Sequence, residues 1–308
     1  MDRRAFLASG VAGLSALGAA ACVPPEASEA GRLPAALRLV EVSTGGRFGV
    51  AIHDPAAGRT IAHNVTERFA LASTFKLSLA AFALAEQQAG RIDLDERTRW
   101  SEADFVSHRP FTEERTATGA TWRELARAAQ TLSDNVAANL LLKRLGGPEA
   151  LTAFWRSIGD EASRLDRFET DLNRVPPGDL RDTTTPAAMA RTVHTLLFAG
   201  PLAPETRAQL RQWMVATETG MERVRAGLPR AWEAGDKTGS SGNWPDAPYV
   251  RGDIGFVVGP RGQPLTFAAY HRSPLLEPVA AARVDAGFAA IGRLLADYIR
   301  RSPAMPGA

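Results

Sequence analysis

An α+β fold of two lobes is predicted by three observations. Strand-forming segments lie at both ends of the chain, almost every periodic segment between them is helical, and helical segments flank the terminal strands. A five-stranded, mainly antiparallel sheet assembled from the two ends, flanked by terminal helices and carrying an inserted all-helical lobe, satisfies all three; a ligand site is expected in the cleft between the lobes. The 308 residues are 45% hydrophobic, enough for a sizeable core, and the net charge of +2 comes without a Lys/Arg-rich run or interleaved basic and aromatic residues. Nucleic acid is therefore set aside as a partner.

Residues 1–28 read as an export signal and tether. Residues 29–308 then form a single domain, with a sheet lobe of 29–64 plus 215–302 and a helical lobe of 65–214. "MDRRAFLASGVAGLSALGAAAC" has paired arginines, a short Gly/Ala-rich apolar stretch and small residues suited to cleavage. Arg3 and Arg4, followed by Ala5, Phe6 and Leu7, resemble a twin-arginine export signal and predict a periplasmic protein; an ordinary signal peptide with two arginines is the alternative. The stretch is too short and too weakly apolar for a transmembrane span. Cys22 is the sole cysteine, so no intrachain disulfide can form. A lipid anchor at Cys22 stays open, although "AAAC" lacks the large aliphatic residue usual three places before such a cysteine.

After the tether, "LPAALRLVEVST" has helical spacing, and "GRFGVAIHDPAAGRTIAHNV" gives two strands joined by a turn containing Pro and Gly. At the far end "AWEAGDKTG", "RGDIGFVVG" and "LTFAAYHRS" are three more strands, with "GPRGQP" as the turn between the last two. The amphipathic "VAAARVDAGFAAIGRLLADYIR" closes the chain as a helix. Within the helical half, "RLDRFETDLNRVPPGDLRDTTTP" (164–186) is charged and lacks a long apolar period. A connection of that length is functional or disordered, and a salt bridge between Arg167 and Asp182 near its ends favours order.

The chemistry begins with "LASTFKLSLAAFALAEQQAG" (71–90), a helix apolar on almost every side that carries Lys76 in its first turn. Burying an ammonium is costly and depresses its pKa. Ser73, three residues earlier, shares its helix face, so a desolvated lysine could take the proton of a serine nucleophile placed at a helix start. The alternative makes Ser73 an N-cap and lets Lys76 reach solvent along its stem. "TLSDNVAANLLLKRL" sets Ser133, Asp134 and Asn135 at the head of another apolar helix. "DKTGSSG" sets Lys237, Thr238 and Gly239 at a strand end, where glycine permits close approach to the backbone.

Ser-x-x-Lys, Ser-Asp-Asn and Lys-Thr-Gly in this order form the set found in class A β-lactamases and penicillin-binding proteins. With "FETDLN" supplying Glu169, Leu172 and Asn173 in a Glu-x-x-Leu-Asn pattern, the chain resembles the class A serine β-lactamases from about residue 30 to residue 302. The resemblance implies that Ser73 attacks a lactam carbonyl, with Lys76, or Glu169 through water, removing its proton. Ser133 passes a proton to the lactam nitrogen, between Lys76 and Lys237. Glu169, with Asn173, holds the catalytic water that hydrolyses the acyl-enzyme. The backbone N–H groups of Ser73 and Ser240 would form the oxyanion hole. The implied partner is a small β-lactam, whose carboxylate calls for Lys237, Thr238, Ser240 and one arginine, either Arg251 or Arg223. Asn135 would contact the substrate amide and Asp134 would be structural.

Some positions depart from that pattern. The segment "SSGNWPDAPYV" before "RGDIGF" is longer than usual, enlarging the turn beside the cleft. His108 stands where an aromatic gate residue is common, making that edge less apolar. Ala72 and Ser241 occupy positions that form a disulfide in many carbapenem-hydrolysing relatives. The histidines at 53, 63, 108, 194 and 271 have no metal-ligand spacing, so no metal or other cofactor is implied. Trp155, Trp213 and Trp232 read as packing residues, and the resemblance suggests a monomer. A penicillin-binding D,D-peptidase, acylated by β-lactams without turning them over, is the main rival; it should lack the base that "FETDLN" provides. A catalytically dead binding protein should have lost one of Ser73, Lys76, Ser133, Glu169 and Lys237, and none is lost.

Overall fold

The computed structural model describes residues 29–274 and 279–302. The expected export signal, tether and Cys22 lie outside the described residues. The first end of the chain supplies α1 (Glu29–Thr44), β1 (Arg47–Asp54) and β2 (Arg59–His63). The middle supplies β3 (Phe69–Ala70), α2 (Phe75–Gln88), β4 (Arg97–Thr98), α3 (Pro110–Glu114), β5 (Ala120–Thr121), α4 (Trp122–Thr131) and α5 (Asn135–Arg144). It continues through α6 (Pro148–Ser157), β6 (Thr183–Thr184), α7 (Pro186–His194) and α8 (Pro204–Val215). The last end supplies β7 (Glu233–Ser240), β8 (Val250–Val258), β9 (Pro264–Arg272) and α9 (Ala281–Arg301).

The main sheet has five strands in the order β2-β1-β9-β8-β7, antiparallel at every junction. Its two halves meet where β1 pairs with β9, Val50 opposite Ala269 and Ile52 opposite Phe267. Antiparallel sheets often show one face to water, but here β1 and β8 are buried almost throughout. Phe48, Val50, Ile52, Phe267 and Ala269 face a cluster built with Leu37 of α1 and Phe288 and Ile291 of α9. Ala51, Ile254, Phe256, Ala268 and Tyr270 face the helical layer. A side chain of this size contributes about 1.5–3 kcal/mol on full burial, so apolar burial on both faces holds the sheet in place. Trp155 and Trp213 are buried in the cluster on the helical side, and Trp232 is half-buried against the other.

The helices start where capping chemistry allows. Thr121 and Glu124 form a reciprocal capping box on α4, and Thr185 caps α7 ahead of Pro186. Helix α2 lies at the centre, against α4, α5, α6 and α8, which is why its sequence is apolar on nearly every side.

Two small antiparallel ladders, β3–β6 and β4–β5, had no signature in the sequence, because two residues cannot display a period. The first has consequences for the site. Phe69 pairs with Thr184 and Ala70 with Thr183, while Leu71 N–H donates to Asp182 O at 2.8 Å, so the end of the long loop is stitched to the strand that leads to Ser73. Arg167 Nε meets Asp182 Oδ2 at 2.6 Å, and the backbone N–H groups of Asp166 and Arg167 donate to Asp182 Oδ1. Asp182 is fully buried, and the expected salt bridge does order the loop.

His271 of β9 is fully buried against the Phe48 ring, and neither ring nitrogen has a hydrogen-bond partner. Burial, then the nearby Arg251 cation, pushes its pKa from 6.5 down to about 4. Because the folded value lies below the unfolded one, the unfolded chain binds the extra proton between those limits, and stability falls as pH drops through that window. The effect is on the order of 3 kcal/mol at most. His271→Leu should flatten this part of a denaturant-derived stability profile; an unchanged slope would assign acid lability to other groups.

Candidate active site

Ser73 lies in a 3₁₀ turn, Ala72–Thr74, that feeds directly into α2. The turn requires Ala72 at φ +43°, a left-handed conformation that costs a non-glycine residue about 1–2 kcal/mol. Strand β7 presses against it: a Cβ at Gly239 would lie 3.1 Å from Ala72 Cβ and from Ser73 N. Glycine at 239 therefore lets the strand run beside the turn, as its place in the sequence suggested. The Ser73 side chain caps no helix N–H. Its Oγ accepts from Lys76 Nζ at 2.9 Å and donates to Glu169 Oε1 at 3.2 Å.

Lys76 is fully buried and does not reach solvent. Its ammonium donates to Ser73 Oγ, to Ser133 O at 2.8 Å and to Asn135 Oδ1, and lies 3.0 Å from Glu169 Oε1. Desolvation lowers its pKa, and Glu169 opposes that shift. Lys237 is also fully buried. Its Nζ donates to Ser133 Oγ at 3.0 Å and to Thr238 O at 2.9 Å, and burial followed by the Lys76 charge holds its pKa well below the usual lysine range. Ser133 Oγ thus lies between two amines, 3.4 Å from Lys76 and 3.0 Å from Lys237.

Ser133 adopts φ +60° just before Asp134 caps α5 through Ala137 N–H at 2.8 Å. Asp134 also accepts from Phe111 N, Thr112 N and Thr112 Oγ1, which binds α3 to α5 and leaves it a structural carboxylate. Asn135 donates its Nδ2 to Ser107 O at 2.7 Å. Asn139 lies one turn on and belongs to none of the sequence motifs. Asn139 Nδ2 donates to Glu169 O at 2.8 Å, and Glu169 N–H donates to Asn139 Oδ1 at 2.9 Å. The available signal was a second amide four residues along the same face of an otherwise apolar helix.

Glu169 is buried, and the Glu169–Thr170 peptide is cis. Its second oxygen accepts from Asn173 Nδ2 at 2.6 Å, while Asn173 Oδ1 is buried without a protein partner. The two candidate arginines separate. Arg223 donates to Gly239 O at 3.0 Å, Gly252 O at 2.7 Å and Ser240 Oγ at 2.9 Å, and lines the cleft. The turn that carries it packs hard on α9, where a Cβ at Gly292 would come within 2.1 Å of Val224 O. Arg251, the other candidate, pairs its guanidinium with Asp285 of α9 at 2.8 Å and is not among the residues that line the cleft.

A cleft of about 620 Å³ gathers Ser73, Ser133, Asn135, Glu169, Asn173 and Thr238 with Ser240, His108 and Arg223. Lys76 and Lys237 lie beneath its floor. His108 holds its ring with Nε2 donating to Leu132 O at 2.9 Å. Thr219, whose hydroxyl lies 2.7 Å from that of Thr238, and Trp244 of the enlarged turn also line the cleft, and no sequence motif marks either. Among the described residues, no group of three or more His, Cys, Asp or Glu side chains could hold a metal. Chemically, the arrangement offers a hydroxyl nucleophile with two adjacent bases, a second hydroxyl shared by two amines, and an arginine for an anionic substituent.

Residues 33–299 match the model of the beta-lactamase enzyme family. Beta-lactamase AST-1 of Nocardia asteroides is 47% identical over 247 residues, 78% of this chain and 80% of the relative. Beta-lactamase L2 of Stenotrophomonas maltophilia is 47% identical over 203 residues, 66% of this chain and 67% of the relative. Among solved structures, an ancestral class A β-lactamase is 48% identical with a TM-score of 0.82, covering 86% of this chain and 99% of its own. A β-lactamase from Xanthomonas campestris pv. campestris is 40% identical with a TM-score of 0.83, covering 88% and 98%.

Asn139→Leu should leave the buried N–H and C=O of Glu169 unpaired, at a cost of about 2–4 kcal/mol. Calorimetry should then show a melting temperature lower by roughly 5–15 °C. An unshifted transition would mean that the loop holds Glu169 without α5.

Proposed function

The chain belongs to the beta-lactamase enzyme family and is a class A β-lactamase, a hydrolase; from that premise we propose that it opens the β-lactam ring of penicillin- and cephalosporin-type antibiotics through an acyl-enzyme on Ser73, and so confers resistance to them. The observation that carries this reading is the carboxylate of Glu169, 3.2 Å from the nucleophile and held by Asn173. A D,D-peptidase has no use for such a base.

Arg223, Thr238 and Ser240 receive the substrate carboxylate, Lys237 adds charge from below, and Asn135 meets the amide. Ser73 Oγ attacks the lactam carbonyl. Its proton goes to the pair formed by Lys76 and Glu169, which lie 3.0 Å apart. The depressed pKa of Lys76 supplies a neutral amine at lower cost than an exposed lysine would need. The backbone N–H groups of Ser73 and Ser240 take the developing oxyanion, where loss of one donor typically costs about 10²- to 10³-fold in rate. As the C–N bond breaks, Ser133 Oγ gives its proton to the nitrogen and is resupplied from the lysines on either side.

Deacylation uses a water between Glu169 and Asn173. The orphaned Asn173 Oδ1 supports this reading, since a buried acceptor without a protein partner calls for a donor. Glu169 takes the water's proton, hydroxide attacks the acyl carbonyl, and Ser73 leaves with a proton returned through Lys76. We also propose that the enzyme is exported to the periplasm on its twin-arginine signal and acts as a monomer; fractionation and light scattering test those two points.

Residues 29–308 should hydrolyse a chromogenic cephalosporin. Ser73→Ala should lower that rate by about 10⁴-fold or more, Lys76→Ala should nearly abolish acylation, and Glu169→Ala should accumulate a mass adduct on Ser73. A stoichiometric adduct without turnover in the unmodified enzyme would instead favour the peptidase. Arg223→Ala should raise KM roughly tenfold to a hundredfold. Arg251→Ala should lower thermal stability with KM largely kept, and the opposite pattern would return the carboxylate to Arg251.

A further inference from the structure

The residues that line the cleft are nearly all polar or glycine. Among the described residues that line it, Trp244 alone has a large apolar side chain. We infer that the enlarged turn is a specificity wall, in which the Trp244 indole receives an aromatic ring on the acylamino substituent of the substrate while the Arg174–Asp246 ion pair holds the turn against the long loop. The inference rests on the β-lactamase reading and names a preference within it.

The turn is built rather than slack. Its base is closed by Ser241 N–H to Val250 O at 2.9 Å and by Val250 N–H to Ser241 Oγ at 2.8 Å. Trp244 and Ala247 form a β-bridge, and Ala247 is buried beneath it. The indole Nε1–H donates to Ser241 O at 2.9 Å, which fixes the ring's edge and leaves its faces for packing. Trp244 itself is half-buried.

Arg174 follows directly on Asn173. Its guanidinium meets Asp246 in a bidentate pair, with Nε 3.0 Å from Oδ1 and Nη2 2.6 Å from Oδ2. The same residue's carbonyl accepts from Arg167 Nη2 at 2.8 Å, so the clasp continues the Arg167–Asp182 closure of the loop. Thr170 and Asn173 on one side, and Ser241, Gly242, Asn243 and Trp244 on the other, are thereby joined at the mouth of one cleft. With the substrate carboxylate on Arg223 and its amide on Asn135, whatever extends beyond the amide passes between those two rims. An apolar ring there finds one apolar partner. His108, across the cleft, turns its ring nitrogen to Leu132 O and offers none.

The experiment compares kcat/KM for benzylpenicillin, which carries a phenyl ring, with that for aminopenicillanic acid, which has no acyl group. Trp244→Ala should lower the ratio of the two about tenfold, chiefly through KM for benzylpenicillin. Trp244→Phe should restore most of it. Asp246→Ala, which frees the turn without removing the ring, should lower the ratio by a smaller factor, and less so at high salt, where the exposed pair is already screened. Equal losses on both substrates, or failure of Trp244→Phe to restore the ratio, would overturn the wall alone. Absence of turnover on both substrates by the unmodified enzyme would overturn the hydrolase reading and the wall with it.

Discussion

A charged ammonium inside a helix that packs on four others can persist only if oxygen atoms converge on it from separate parts of the chain. Lys76 imposes that requirement on the whole molecule. Ser73, Ser133, Asn135 and Glu169 come from the turn before α2, the head of α5 and the long loop, and each places an oxygen within bonding distance of one nitrogen. An unpaired buried charge costs several kcal/mol, more than most single contacts contribute. The left-handed backbones at Ala72 and Ser133 are tolerable on that scale, since they deliver the oxygens the cation needs. Stability and chemistry share one arrangement here.

Behind β7 a second layer of buried charge supports the cleft arginine. Arg225 pairs with Asp236, whose carboxyl burial raises to about 6, and Asp253 is pushed well above the carboxylate range by burial and then by Asp236. Val224 N–H donates to Asp253 at 3.0 Å, and Asp285 reaches both Arg251 and Arg223. The turn bearing Arg223 is therefore fixed from its own backbone outward. A flexible side chain is held where its guanidinium bridges Gly239, Gly252 and Ser240.

Much of this was readable in the sequence because it depends on short-range spacing. Ser73 and Lys76 are one helical turn apart, Ser133 and Asn135 sit at a helix head, and Glu169 and Asn173 are four residues apart. The terminal strands and helices declared their periods in the same way. What stayed hidden depends on distant parts meeting. The pairing of Arg251 with Asp285 spans 34 residues, and no local pattern reports it. The grip of Asn139 on Glu169 spans 30 residues, the β3–β6 ladder is too short for a period, and the place of Trp244 depends on how an inserted turn is closed.

The pairing of β1 with β9 joins residues more than 200 positions apart, and the nucleophile turn lies against a strand that emerges from the opposite side of the helical insertion. Contacts of such long range must repay the entropy of closing the intervening loop. Lys237, Ser240 and Arg223 therefore join Ser73 only when the last third of the chain has docked. A chain arrested in synthesis before that point has the serine and its lysine but neither the second lysine nor the anion-binding side of the cleft. The complete cleft thus exists only in the fully assembled fold.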